Sequence, residues 1–177
     1  MISRWTATGL LGFYASMKSI PELIKSLPKN LSGVTSDSRE VQPHCLFDAV
    51  RGGTQDGHAF IAKAQDAGAA LIVGEDPPPA GLKTPYAQVA SSREALAAAA
   101  AHFYGNPSHA LTMVGVTGTS GKTTTTYLVE SILVAAEHKV GVIGTVAFRF
   151  ADKVYPSPHT TPGTVELQKL LAQMKAD

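Results

Sequence analysis

The sequence predicts an α/β chain built on parallel sheets, and three observations carry that expectation. Short apolar runs such as Ala69–Val73 and Val140–Ile143 alternate with helical patterns, the arrangement of a parallel sheet with crossover helices. A Gly- and Thr-rich turn ending in Gly121-Lys122-Thr123 stands between an apolar run and a helix. Gly105-Asn106-Pro107-Ser108 breaks the chain between two such stretches, and a domain boundary is expected there. At about 150 residues per domain, 177 residues make roughly one domain, or one plus part of another.

Met1–Ser16 carry one charge, Arg4, and an apolar run broken by Thr6, Thr8, Gly9 and Gly12. That is a poor secretory signal, and the segment is expected to be an N-terminal extension ahead of a start at Met17. Ser19-Ile20-Pro21-Glu22 opens a helix, with a Ser cap, Pro in the first turn and an acid near the positive end of the dipole. That helix should end at about Leu27, before Pro28. Leu46–Val50 reads as a strand, followed by the turn-rich loop Arg51–Gly57. Phe60–Ala67 should be a helix closed by Gly68, Ala69–Val73 a buried strand, and Pro77-Pro78-Pro79 an exposed turn. Ser91-Ser92-Arg93-Glu94 is a capping box that opens an Ala-rich helix ending near Tyr104.

Beyond the break, Leu111–Val116 and Val140–Ile143 read as strands, and Thr123 to about Ala136 as a helix. The run Thr123–Thr126 has low helix propensity, so packing or a bound phosphate must hold that helix start. Leu167, Leu170, Leu171 and Met174 stand at i, i+3, i+4 and i+7, the inward stripe of a last helix. The second domain is expected to be incomplete, about 70 residues by subtraction from the boundary, which would leave faces such as Leu167/Leu171 uncovered.

Composition narrows the function classes. Lys+Arg 15 against Asp+Glu 14 gives a net charge of +1, and no basic patch is interleaved with aromatics, so nucleic acid is not an expected partner. Charged residues are 16%, below the usual ~25%, and apolar residues reach 44%, enough to fill a core. With mean hydropathy of +0.05 and no long uninterrupted apolar run, membrane insertion is not expected. The single Cys45 excludes an intrachain disulfide and a Cys-based zinc cluster. The six histidines form no i,i+4 pair and no metalloprotease motif. His58 reads equally as structural or as substrate-facing.

The strongest chemical signal is Gly115-Val116-Thr117-Gly118-Thr119-Ser120-Gly121-Lys122-Thr123-Thr124. Glycines let the backbone wrap phosphate oxygens, and the following helix adds the positive end of its dipole. Gly118, Thr119, Ser120, Gly121, Lys122, Thr123 and Thr124 are the expected phosphate contacts. Lys122 supplies a point charge for the β/γ-phosphates, and the Thr123 hydroxyl is placed to ligate Mg²⁺. The strict pattern puts a glycine where Val116 stands, so Gly115 lies one residue too far away. The alternative is a Gly/Thr-rich turn with an incidental lysine; Gly-Lys-Thr at a strand-to-helix junction argues for a phosphate site.

Thr117–Thr124 resembles the ATP loop of the Mur ligases of bacterial peptidoglycan synthesis, and the resemblance extends past the loop. Asp37-Ser38-Arg39, Leu46-Phe47 and Gly52 through Asp56-Gly57-His58 are similar to the family's uridine-nucleotide-binding N-terminal domain. Phe103–Ser108 resembles the junction into its ATPase domain. Gly141–Thr145, Thr160-Thr161-Pro162 and Glu166-Leu167-Gln168 are similar to the member that adds the third peptide residue. The resemblance covers roughly Ile20 to Asp177.

It implies an extension at 1–16, a UDP-muramoyl-substrate domain at 17–107 and the opening part of a P-loop ATP-binding domain at 108–177. Ser38 and Arg39 would lie at the UDP diphosphate, Gly53, Thr54, Gln55 and Asp56 at uracil and ribose, and Thr160 and Thr161 at the muramoyl end. The implied reaction is ATP- and Mg²⁺-dependent amide formation on UDP-MurNAc-L-Ala-D-Glu through an acyl phosphate, with a diamino acid as the incoming amine, in the cytoplasm. Lys122 would be the catalytic side chain. The chain departs from the family at Ser120, His159 and Gly163, and at His44-Cys45 in place of a usual Gly-Asp. It departs again at Asp48, in a strand that is normally apolar. The family's second metal-site acid, its modified lysine and its amino-acid-binding domain are expected beyond Asp177, so the chain reads as an N-terminal fragment unable to complete the reaction. The alternatives are a non-catalytic module for UDP-sugar peptides, the family member that adds the last dipeptide, and an unrelated P-loop NTPase.

Overall fold

The computed structural model describes residues 17–53, 55–151, 153–156 and 162–177. Met1–Ser16, Thr54 and the pair Thr160-Thr161 therefore lie outside the described residues. The chain divides into two compact units, one ending at Ala98 and one running Ala99–Asp177.

The first unit is a four-stranded parallel sheet in the order β1 (Val34–Thr35), β2 (Leu46–Asp48), β3 (Leu71–Gly74), β4 (Tyr86–Gln88). Val34 pairs with Leu46, Leu46 with Leu71, and Ile72 with Tyr86. Every residue of β2 and β3 is buried, which is why β3 reads as an unbroken apolar run and β2 as one broken only by Asp48, rather than as alternating patterns. β1 and β4 are too short to show a period, and sequence reasoning missed them. Phe47 and Ile72 pack with Cys45, Ala49, Ile61 and Ala64 of α2 (Ile61–Asp66) on one face. Side chains alternate along a strand, so Leu46 and Asp48 point to the other face.

The expected helix boundaries hold within a turn. α1 (Ile20–Lys25) starts where Ser19 donates its N–H and hydroxyl to the Glu22 carboxylate, at 2.9 and 2.7 Å. α2 follows a 3-10 turn, Gly57–Phe60, and is closed by Gly68 at φ +87°. α3 (Ser92–Phe103) is capped by Ser91, whose hydroxyl accepts from the Glu94 N–H at 3.3 Å. Opposite Gly68, the His44 N–H donates to the Gly68 carbonyl at 3.0 Å. His44 itself takes φ +68°, a left-handed backbone region in which only a glycine would meet no steric cost.

The second unit contains α4 (Lys122–Ala135), an antiparallel sheet β5 (Val142–Ile143), β6 (Ala147–Phe150), β7 (Lys153–Pro156), and α5 (Thr164–Ala176). Two expectations are corrected here. Leu111–Val116 is not a strand: it has no ladder partner among the described residues, and Met113 and Val114 are exposed. A strand without a neighbour leaves its ladder unpaired, so apolar content alone does not make one. Consequently the sheet of this unit, as described, is the antiparallel hairpin pair and not a parallel one.

The last-helix stripe is correct, but its expected exposure is not. Leu170 and Leu171 are buried, Leu167 is half-buried, and Leu170 joins Phe148 and Phe150 in a core that Met174 and Tyr155 complete. Exposed apolar side chains stand instead on α4, at Leu128, Ile132 and Val134, and outside it at Met113, Val114, Val146 and Val154. α4 is tied to β6 by Arg149, which donates to Glu130 and to the Tyr127 hydroxyl and stacks 4.2 Å over the Tyr127 ring. Among the described residues no helix is long and apolar enough to cross a membrane.

Candidate nucleotide and phosphate sites

In a parallel sheet the loops that leave the carboxyl ends of the strands gather at one end, the usual ligand end of open α/β folds. Ser38 and Arg39 follow β1, Gly53, Gln55 and Asp56 follow β2, and Glu75 and Asp76 follow β3. The topology therefore brings the described members of the expected substrate set to one end of one sheet.

Ser38 is buried in the turn after β1, and Arg39 is exposed. The Arg39 guanidinium grips Asp37 through two nitrogens, with Nη2 to Oδ2 at 2.6 Å, and the Arg39 N–H donates to Oδ1 at 2.8 Å. That grip holds the Asp37 carboxyl down at about 2. Thr35 fixes the turn from behind: its hydroxyl accepts from the Asp37 N–H at 3.0 Å and donates to Glu40 at 3.1 Å.

The loop after β2 is held by its own backbone. The Gly52 N–H donates to the Gln55 carbonyl at 2.9 Å, and the Gly57 N–H to Val50 at 3.0 Å. A Cβ at Gly57 would meet the Val50 backbone at 2.7 Å, so only glycine fits. Asp56 accepts from the His58 N–H at 2.9 Å and lies 2.7 Å from His58 Nδ1, and these bonds hold its carboxyl below the usual range.

Sequence reasoning gave no role to Arg51, Glu75 or Asp76, which meet here. Arg51 pairs with Asp56 at 3.4 Å, with Glu75 at 3.7 Å and with Asp76. Asp56, His58 and Asp76 lie close enough together to suit a cation, but Arg51 already supplies the positive charge between the two carboxylates. The signal that could have found the cluster is an acid pair, Glu75-Asp76, directly after a buried strand.

Asp48 is fully buried at the end of β2, and among the described residues neither carboxyl oxygen has a hydrogen-bond partner. Burial pushes it up to about 8, with the neighbouring Ser92 hydroxyl opposing the shift and Glu75 adding to it.

The phosphate loop has the expected helix start. Gly121 takes φ +75° immediately before α4, and Gly118 takes φ +150°. Among the described residues no side chain caps the first turn of α4, an end whose N–H groups suit an anion. Thr119, Ser120, Thr123 and Thr124 are exposed around that end. Lys122 is exposed and donates Nζ to the Gly118 carbonyl at 2.5 Å, so its ammonium already lies over the loop. The Thr126 hydroxyl bonds back to the Lys122 carbonyl at 2.9 Å, a local support for the poor-propensity start.

Sequence-family comparison decides the class. The pattern described as Mur ligase family, catalytic domain, matches residues 30–104, and the Mur ligase middle domain matches 116–177. The chain belongs to the Mur ligase family. Among its relatives is the UDP-N-acetylmuramoyl-L-alanyl-D-glutamate--2,6-diaminopimelate ligase of Geobacter metallireducens, 45% identical over 84% of this chain and 29% of that protein. The ligase of the same name from Geobacillus thermodenitrificans is 41% identical over 93% of this chain and 32% of the relative. A solved structure of a ligase with that name superposes with a TM-score of 0.68 at 20% identity, covering 91% of this chain and 34% of the other, and so supports the fold. This Mur ligase chain thus spans about a third of the length of the relatives it matches.

Proposed function

We propose that this chain is the substrate-binding and phosphate-loop portion of a cytoplasmic, ATP-dependent ligase that joins 2,6-diaminopimelate to UDP-MurNAc-L-Ala-D-Glu. The observation that carries the reading is the family match together with an open α4 N-terminus, with Lys122 beside it. The names of the Geobacter and Geobacillus relatives support the choice of amino acid.

In this reading residues 17–107 hold the substrate and 108–177 begin the ATP-binding domain. Ser38 and Arg39 bind diphosphate, and Gly53, Thr54, Gln55 and Asp56 bind uracil and ribose. Thr160 and Thr161 contact the muramoyl end. A carboxylate is a poor acyl donor, so the D-glutamyl carboxylate is first phosphorylated by ATP, and the incoming amine then displaces phosphate. The Gly118–Thr124 backbone and the α4 dipole hold the phosphates, and Lys122 neutralises charge on the transferring group. The residues suit Mg²⁺, since Thr123 offers an exposed hydroxyl at the helix start; when bound, the ion would neutralise phosphate charge there.

Residue-resolved NMR titration tests both halves. UDP is expected to shift the amides of Thr35–Asp56, and ADP with Mg²⁺ those of Gly118–Thr124. Shifts confined to other residues would contradict the assignment.

A further inference from the structure

His58 links two loops at the ligand end of the first sheet. Its Nδ1 faces Asp56 Oδ1 at 2.7 Å, and its Nε2 lies 3.0 Å from the Glu75 backbone nitrogen and 3.4 Å from that of Asp76. Backbone nitrogens only donate, so Nε2 must be the acceptor and the single proton of a neutral ring must sit on Nδ1. The receiving segment is pinned from its other side too. The Tyr86 hydroxyl donates to the Asp76 carbonyl at 2.7 Å, and Gln88 Nε2 donates to the Glu75 carbonyl at 3.0 Å. Gly74 makes the arrangement possible: a Cβ there would stand 2.1 Å from the Tyr86 oxygen and 2.9 Å from His58 Nε2.

We infer that His58 is the positioning residue of the Asp56 turn: with its proton on Nδ1 toward Asp56 and Nε2 as acceptor, it fastens that turn to the Glu75–Asp76 backbone. Arg51, which reaches Asp56, Glu75 and Asp76, braces the same two segments from the solvent side.

The role in ligand binding rests on the nucleotide reading above, and the test separates the two. Long-range ¹H–¹⁵N NMR on the whole chain, with His58 assigned by its absence in His58→Gln, should show the Nδ1–H tautomer at pH 8. UDP affinity is measured in parallel by calorimetry at pH 8. His58→Leu should weaken UDP binding about tenfold. His58→Gln, whose Oε1 can accept from both amides, should stay within about threefold. An Nε2–H tautomer, or a His58→Gln chain that binds UDP as weakly as His58→Leu, overturns the inference while UDP binding leaves the nucleotide reading intact. A chain with the Nδ1–H tautomer that binds no UDP overturns the nucleotide reading and, with it, any role of His58 in positioning a ligand loop.

Discussion

Asp48→Val is expected to stabilise the folded chain by about 3 kcal/mol at pH 8, because it removes a buried carboxyl with no hydrogen-bond partner and adds apolar volume suited to a strand. The folded-state value of Asp48 is raised, to about 8, while an unfolded carboxylate stays near 4. The folded state therefore holds a proton that the unfolded state has released between those values. Stability falls as pH rises through that window, and the penalty levels off once pH passes the folded-state value. Urea denaturation from pH 4 to pH 9 reads it directly. The wild-type profile should slope downward relative to Asp48→Val, with the gap widest at the alkaline end. A variant no more stable than wild type at pH 8 would mean that the carboxyl is satisfied in solution.

The second large effect is on nucleotide binding. Lys122→Ala should weaken binding of ATP with Mg²⁺ by 10- to 100-fold, the loss expected for one charge-assisted contact of about 1.5–3 kcal/mol. Lys122 is exposed and reaches only back to its own loop at Gly118, so the melting temperature should scarcely change. Fluorescence titration with a labelled ATP analogue separates the two quantities. Unaltered affinity in a folded variant would remove Lys122 from the phosphate site.

The sequence was most informative where a local rule acts alone. Ser19, Gly68, Ser91 and Gly121 each mark a helix end by cap chemistry or a left-handed backbone, and the structure has a helix end at each. The β2 and β3 runs were legible because strands covered on both faces are apolar at nearly every position, Asp48 being the exception. β1, β4 and the β6–β7 hairpin were not, since strands of two to four residues leave no period to read. Leu111–Val116 was misread for the complementary reason: apolar content is local, but a strand requires a partner that composition cannot supply.

The site divides along the same line. The phosphate loop was visible as a motif because its chemistry sits in consecutive residues. The Arg51, His58 and Glu75–Asp76 cluster was not, because β2 and β3 must pair before those loops meet. Asp48 was noticed as an odd residue in a strand, yet only the flanking strands β1 and β3 show it to be buried rather than at an edge.

The central claim is that the first unit of this Mur ligase chain holds a UDP-muramoyl peptide by the loops at the carboxyl ends of its strands. Calorimetric titration of the chain with UDP-MurNAc-L-Ala-D-Glu, with UMP as comparator, tests it most directly. The expected result is saturable binding tighter than that of UMP and weakened about tenfold by Ser38→Ala or Arg39→Ala. No binding by a chain that circular dichroism shows to be folded would contradict the claim.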